Sequence, residues 1–390
     1  MKISVITVCL NSAKTIERTI QSVIKQFYDR LEYIIIDGGS TDGTVEIIKR
    51  YVDNIDYWIS EADDGLYDAM NKGIAKSTGE VIAFLNSDDW YKENTLAKVN
   101  SYFEKYNPMV LTGRVNTLQK GKWAKYIGAL DCNKENIQMA MIYRQPAMFV
   151  RREVFERVGI FNTDYKIAAD FEWMLRVYDA EIEIMCVEDV FTYFSSTGVS
   201  NTDTDRTIRE ARKIALDALE HGEKYSLQEK ETWRRKIIRC YDEQQATVEV
   251  KKIIRNQQLT EYLELRFLML EYFREPSYVV WGIGIIGEDM YNLLMQLGLE
   301  VDCFVDRKSS RIVQTFHDRK VIAPQELVRG RKVIIASLEY EDEIAVQLDE
   351  MGFHEKADYI LYSSILSKLV ETYMECYLGH EYRDYSVCVQ

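Results

Sequence analysis

Between Ile3 and Leu85, short apolar runs alternate with segments of helical periodicity, and this alternation restricts the fold more than any other feature. Ile3–Cys9, Tyr33–Ile36, Tyr57–Ser60 and Val81–Leu85 read as strands. Thr15–Gln26, with Ile16, Ile20, Val23 and Ile24 on one face, reads as a helix, as do Thr44–Tyr51 and Asp68–Thr78. Strand–helix alternation at this spacing predicts βαβ units and a mostly parallel sheet. Val81–Leu85 is apolar throughout, as expected of a strand covered on both faces. Turn-forming residues follow the strands: Asn11-Ser12 after the first and Asp37-Gly38-Gly39-Ser40 after the second. In such sheets ligands bind outside the carboxyl ends of the strands. Asn86, Ser87, Asp88 and Asp89 stand at that end of the fourth run.

Adjacent carboxylates repel each other and resist burial. At a strand end Asp88 and Asp89 suit a hard divalent cation that in turn holds phosphate oxygens. A helix N-cap or a turn would use the same residues, and the pair alone does not separate the two readings. In the second turn, Gly38 and Gly39 let the backbone approach a ligand, and Ser40 or Asp42 suits a helix cap. A carboxylate at Asp37 suits a nucleobase N–H or a ribose hydroxyl, not a phosphate. No GxxxxGK[ST] segment occurs, so an ATP-binding P-loop is unsupported.

The 390 residues suffice for two or three domains. A net charge of −14 argues against nucleic acid as partner. Cys9, Cys132, Cys186, Cys240, Cys303, Cys376 and Cys388 form no CxxC pair, which fits reduced thiols in a cytoplasmic protein. No run approaches the length of a membrane span, and MKISVITVCLN reads as a first core strand rather than a signal peptide. Residues 204–276 read as a charged helical connector packed on its neighbours, with Ile208, Ala211, Ala215 and Leu219 at helical spacing. Residues 277–362 return to α/β, and 363–390 read as a terminal helix with a polar tail.

Five segments occur in order: TVCLN (Thr7 to Asn11), IIIDGGSTDGT (Ile34 to Thr44), DDGLYDAMNKG (Asp63 to Gly73), TGEVIAFLNSDDW (Thr78 to Trp90) and AADFEWMLR (Ala168 to Arg176). Together they resemble the family 2 glycosyltransferases of the GT-A fold, with a likeness to bacterial enzymes of capsule, O-antigen or exopolysaccharide assembly. The resemblance covers residues 1–203. It implies transfer of a sugar, with inversion, from a nucleotide-diphospho-sugar, UDP foremost, to a hydroxyl of a glycan or lipid-linked acceptor. It also implies a cytoplasmic location or a peripheral one at the inner face of the cytoplasmic membrane; self-association stays open.

The resemblance also assigns roles. Thr7, Val8 and Asn11 would line the nucleotide cleft, and Asp37 would contact the base. Asp64 and Asn71 would help close the nucleotide pocket. Asp88 would hold the ribose or the outer shell of the metal, and Asp89 would ligate Mg²⁺ or Mn²⁺. Such chemistry needs a Lewis acid at the leaving diphosphate and a carboxylate base at the acceptor. Asp170 is the candidate base; its alternative is a helix N-cap, with Phe171, Met174 and Leu175 as core. Glu172, Arg144, Gln145 and Trp90 are candidates for acceptor or supporting contacts, Trp90 by stacking on a sugar ring. Arg176 would meet the diphosphate or pair with Glu172, and the ion pair is favoured. The chain departs from the family pattern at Met70, where an arginine is common, at Arg144, where histidine is common, and at Thr197, which replaces a glycine.

Gly282, Gly284 and Gly287 lie between a strand and a helix, and Asp306 ends the next strand, which fits a dinucleotide fingerprint. The same glycines serve tight packing. The segment resembles small Rossmann-like domains attached to polysaccharide-synthesis enzymes, so a structural or assembly role is favoured over NAD(P) binding. The expected architecture is therefore α/β: a GT-A nucleotide-diphospho-sugar transferase domain, a helical connector and a small C-terminal Rossmann-like α/β domain. The rivals are an NAD-dependent nucleotide-sugar dehydrogenase or epimerase acting through the C-terminal domain, and a non-catalytic scaffold of a glycan-assembly complex.

Overall fold

The computed structural model describes residues 1–119, 122–127, 137, 141–195, 198, 202–222, 225–306 and 314–378. It divides into two compact units, Met1–Cys240 and Tyr241 onward. In the first unit β1 (Ile3–Cys9), α1 (Ile16–Ile24), β2 (Leu31–Asp37), α2 (Thr44–Lys49), β3 (Tyr57–Ser60), α3 (Leu66–Lys76) and β4 (Val81–Phe84) alternate as the sequence predicts. The chain continues through β5 (Trp90–Tyr91), α4 (Thr95–Tyr106), β6 (Val110–Gln119), β7 (Lys122–Ile127), β8 (Met148–Arg151), α5 (Arg152–Val158), α6 (Ala169–Asp179), β9 (Ile184–Ser195) and α7 (Thr204–His221). The strand order is β3-β2-β1-β4-β8-β6-β9-β5, with β7 beside β6. β1 to β4 pair in parallel. From β8 onward the sheet turns mixed, because β8 runs antiparallel to both β4 and β6.

Every residue of β1 is buried, since helices cover both faces of the sheet. Ile3 and Val5 face a core built with Ile16, Ile20 and Val23 of α1. Ile6 faces the other way, toward α3, where a Cβ on Gly73 would come within 2.4 Å of the Ile6 side chain. At the amino edge of the sheet the Glu32 carboxylate accepts hydrogen bonds from Lys2 Nζ (2.7 Å), Ser4 Oγ (2.5 Å) and Thr78 N (2.7 Å). Burial alone would raise its pKa; these donors outweigh burial and hold it at about 2, against 4.5 unperturbed. A depressed carboxylate pKa stabilises the fold above its unfolded value, and that stability is lost as pH falls toward the folded value. Glu32→Ala is therefore expected to cost about 2–3 kcal/mol at neutral pH and to flatten the loss of stability between pH 4.5 and about 2, as read by chemical denaturation.

The division between the units falls within α8 (Leu227–Arg255). The second unit continues with α9 (Leu263–Tyr272), β10 (Ser277–Trp281), α10 (Ile285–Leu297), β11 (Glu300–Val305), β12 (Thr315–Phe316), β13 (Arg319–Ile322), β14 (Val333–Ile335), α11 (Glu341–Glu350), β15 (Tyr359–Leu361) and α12 (Tyr362–Tyr377). Its sheet order is β12-β13-β11-β10-β14-β15, parallel except for β12. Alternate strand residues face opposite layers, as the pleat requires. Val280, Phe304 and Ile334 pack on α8, α9, α10 and α12, whereas Val279, Trp281 and Ile335 pack on α11. The helices between residues 204 and 276 thus belong to the two cores: α7 to the first, and α9 with the end of α8 to the second.

Candidate active site

The carboxyl ends of β1 to β4 line up, with Cys9 opposite Asp37, Asp37 opposite Ser60, and Leu85 N donating to Ile6 O at 3.0 Å. Asn11 leaves β1 in the left-handed region (φ 50°). Its Oδ1 accepts from Thr41 N at 3.0 Å and its N donates to Ser40 Oγ at 2.7 Å, so the first two turns are tied together. Asp37 is fully buried and accepts from Ser40 Oγ (2.5 Å), Ser60 Oγ (2.6 Å), Ser40 N (2.9 Å) and Gly39 N (3.2 Å). Burial opposes its ionisation, but the Ser40 and Ser60 donors prevail and hold its pKa below the usual carboxylate range. Both Asp37 oxygens are thus engaged by the loop and by Ser60. Gly38 follows it closely against Asp63, whose Oδ2 would lie 2.5 Å from an added Cβ. Thr7 and Val8 are also interior rather than cleft-lining, and Thr7 Oγ1 sits 3.2 Å from Tyr33 OH. Of Thr7, Val8 and Asn11, only Asn11 is exposed.

The loop after β4 is fixed from α1. Thr19 Oγ1 lies 2.9 Å from Ser87 O and 2.7 Å from Asp89 O, and Arg18 Nη2 donates to Asp88 O at 3.1 Å. Ser12 and Ser87 hydroxyls meet at 2.8 Å. Asp89 is 1% exposed. Its Oδ1 accepts from Ser195 N at 2.9 Å, and its buried Oδ2 finds no partner among the described residues. Burial, then the neighbouring Asp88 charge, pushes its pKa well up, against the pull of Ser195 N–H and Arg18. A buried orphan carboxylate oxygen beside a second carboxylate is the arrangement a hard cation would relieve. Among the described residues no group of three or more His, Cys, Asp or Glu side chains gathers as a protein cage for a metal. Two carboxylates fit a cation that completes its shell with phosphate oxygens and water.

Trp90 already carries two ring contacts. The Arg18 guanidinium lies 3.5 Å over its ring and Tyr193 stacks on it at 5.4 Å between centroids. Gly198 approaches Asp88, with 3.7 Å between an added Cβ and Asp88 Oδ2; Thr197 lies outside the described residues.

Asp170 is the second residue of α6, so the helix-cap alternative gives way: Ala168 occupies the cap. Its Oδ1 accepts from Phe171 N at 2.9 Å and lies 3.0 Å from Tyr67 OH, at the start of α3 and hence at the same sheet edge as Asp89. Burial raises its pKa, and the bonds from Tyr67 and Phe171 and the Arg144 charge offset this in part. The loop before α6 is held by Glu210 of α7, which accepts from Lys166 N (2.9 Å), Ile167 N (2.8 Å) and Ala168 N (3.2 Å). Glu210→Ala is expected to lower thermal stability, by about 1–3 kcal/mol for three backbone donors left unsatisfied, whereas Glu210→Gln restores most of it. Equal melting of wild type and Glu210→Ala would contradict this.

Other sequence candidates scatter. Asp64 is exposed and its carbonyl accepts from Lys166 Nζ at 3.1 Å. The Asn71 amide exchanges hydrogen bonds with Phe161 O (2.9 Å) and Phe161 N (3.0 Å). Arg144 is half-buried and acts on Asp170 through its charge. Gln145 Nε2 meets Met70 Sδ at 3.4 Å. Arg176 pairs with Glu172 at 2.8 and 2.9 Å and also donates to Val158 O and Ile160 O, which directs it away from a diphosphate. A cavity of about 260 Å³, lined by Tyr165, Glu172, Arg176, Asp217 and His221 among others, contains neither Asp89 nor Asp170.

In the second unit Gly282 adopts φ +127°, and a Cβ on Gly287 would lie 2.2 Å from Gly282 O, so backbone conformation calls for the first glycine and close packing for the third. A Cβ on Gly284 would meet nothing within 4 Å. Asp306 ends β11, its N–H on Ile322 O at 3.2 Å. Of the cysteines, Cys9, Cys303 and Cys376 are free thiols, and Cys132 and Cys388 lie outside the described residues. Among the described residues no helix is long and apolar enough to cross a membrane.

A parallel β3-β2-β1-β4 half-sheet continued by mixed strands, with a carboxylate pair after β4, gives the first unit a GT-A-like fold. The family model described as glycosyl transferase family 2 matches residues 4–159, and that described as C2185-like, N-terminal matches residues 276–357. An uncharacterized glycosyltransferase of Mycobacterium tuberculosis is 31% identical over 208 residues, 51% of this chain and 77% of the relative. A PGL/p-HBAD biosynthesis glycosyltransferase of the same species is 29% identical over 209 residues, 52% of this chain and 80% of the relative. S. aureus TarS 1-349 in complex with UDP-GlcNAc superposes with a TM-score of 0.50 at 19% identity, over 62% of this chain and 72% of that chain. The chain belongs to glycosyl transferase family 2, and it is a glycosyltransferase.

Proposed function

We propose that this glycosyltransferase is metal-dependent and inverting, and that it moves a sugar from a nucleoside-diphosphate donor, UDP foremost, to a hydroxyl of a glycan or lipid-linked acceptor of a surface polysaccharide. The observation that carries this reading is the buried Asp89 oxygen that finds no partner among the described residues, at the end of β4 and beside Asp88. A divalent cation held by Asp89, with Asp88 beside it, would supply Lewis-acid stabilisation of the leaving diphosphate. Asp170 takes the proton of the acceptor hydroxyl as that oxygen attacks the anomeric carbon from the face opposite the diphosphate. The new C–O bond forms, the bond to the diphosphate breaks with its electron pair, and the configuration inverts. Arg144 keeps positive charge beside the base, and Thr19 and Ser195 hold the Asp88–Asp89 loop in place. The UDP-GlcNAc complex of TarS supports a UDP-sugar as donor.

A panel of UDP-glucose, UDP-galactose, UDP-N-acetylglucosamine and GDP-mannose, screened for binding and hydrolysis with and without Mn²⁺, tests this. At least one UDP-sugar is expected to bind and hydrolyse only with the cation. Equal binding with and without Mn²⁺ would reject the metal role. A base must be ionised to act, so activity falls as pH drops through the raised pKa of Asp170. The acid limb of kcat is expected above the usual carboxylate range of about 4, and a limb at or below that value would contradict the assignment.

A further inference from the structure

The geometry points to Tyr67 as a positioning residue that sets both the orientation and the proton affinity of Asp170, an inference that rests on Asp170 being the base. The Tyr67 hydroxyl stands 3.0 Å from Asp170 Oδ1 and 2.7 Å from Ile167 O. It carries one hydrogen and can serve only one of these acceptors at a time. While Asp170 is ionised, the charge-assisted bond to the carboxylate is the stronger. Once Asp170 has taken the acceptor proton, the hydroxyl hydrogen turns to Ile167 O. Tyr67 keeps its own proton throughout, and burial raises its pKa further. The ring itself is fixed in place, because it is buried and its centroid lies 5.4 Å from that of Phe161.

With Phe171 N–H on the same Oδ1, the carboxylate is turned so that Oδ2 has no hydrogen bond among the described residues. That oxygen is the one available to an acceptor hydroxyl. The charged and titratable groups around Asp170 are Tyr67 from α3, Arg144 from the segment before β8 and, behind the loop, Glu210 from α7. Tyr67, Phe171 N–H and Arg144 all favour the ionised base, and Tyr67 is the first of them, so removing the hydroxyl leaves the charge to Phe171 N–H and Arg144.

Tyr67→Phe keeps the ring and removes the hydroxyl. Hydrolysis of the UDP-sugar selected by the donor panel, with Mn²⁺, is measured across pH for wild type, Tyr67→Phe, Asp170→Asn and the double variant. Tyr67→Phe is expected to lower kcat about tenfold and to move its acid limb up by about one pH unit, with the donor KM unchanged. In the Asp170→Asn background the same substitution should change kcat by less than about twofold, because its target is gone. An unmoved acid limb, or an equal fold-loss in both backgrounds, would overturn the Tyr67 role and leave Asp170 as base untouched. Wild-type kcat in Asp170→Asn would instead overturn the base and the Tyr67 role with it. Should Tyr67→Phe fold poorly, the cycle is run with Tyr67→Leu, which also removes the hydroxyl; a folded Tyr67→Leu protein with wild-type kcat and an unmoved acid limb would overturn the proposal.

Discussion

Asp170→Asn is expected to leave donor binding intact and to lower turnover by about 10²–10⁴-fold, the usual worth of a general base. Asparagine keeps the shape of the side chain and an oxygen that can accept from Phe171 N and Tyr67, so the start of α6 is not disturbed. What is lost is the capacity to take a proton at the second oxygen. The substitution therefore separates binding from chemistry: the donor Kd stays within about twofold while kcat collapses. A variant that retained wild-type kcat would show that another group accepts the acceptor proton.

Asp89→Asn should have effects of opposite sign on stability and on function. In the metal-free protein Asp89 is a buried carboxylate with one oxygen unpartnered among the described residues and the Asp88 charge beside it. Neutralising it removes a buried charge that Ser195 N–H and Arg18 offset only in part, so the metal-free fold should gain about 1–3 kcal/mol. The amide oxygen can still accept from Ser195 N. Transfer, by contrast, should fall by about 10³-fold or more, several kcal/mol of lost stabilisation at the leaving diphosphate. Thermal melting with chelator and steady-state transfer with Mn²⁺ read the two effects separately. A less stable metal-free variant would show that the Asp89 charge is compensated within the protein.

The parallel half of the first sheet was legible because each strand is a short apolar run followed by a helix with one apolar face. Residues Ile3–Cys9 and Tyr57–Ser60 form strands with those same limits. The mixed half was not legible. β6 and β9 pair in parallel across a long stretch of chain, with register shifts near Arg114, and no local pattern encodes such pairing. The Asp88–Asp89 pair stood out because adjacent acids after a buried strand have few uses. At Asp37 and Asn71 the sequence leaves the partner open. A carboxylate or amide looks the same in sequence whether its partner is a ligand or the protein's own backbone, and here Ser40, Ser60 and Phe161 are the partners.

Tyr67 and Glu210 left no trace, since a tyrosine on an apolar helix reads as core and a glutamate on a charged helix reads as solvated surface. Thr19 did leave one. It is a polar residue on the face defined by Ile16, Ile20 and Val23, and such a residue is buried only where something accepts its hydroxyl, here the backbone of Ser87 and Asp89. In the second unit the glycine pattern was legible as a strand-to-helix turn, and two of its three glycines are accounted for by contact between Gly282 and Gly287.

The most direct measurement is calorimetric titration of UDP into wild-type protein with and without Mn²⁺, repeated with Asp89→Asn. Wild type should bind UDP tightly only with Mn²⁺, and the variant should bind it weakly and equally in both conditions. Tight binding of UDP by wild type without the cation, or metal-enhanced binding that survives in Asp89→Asn, would contradict a cation held at the end of β4.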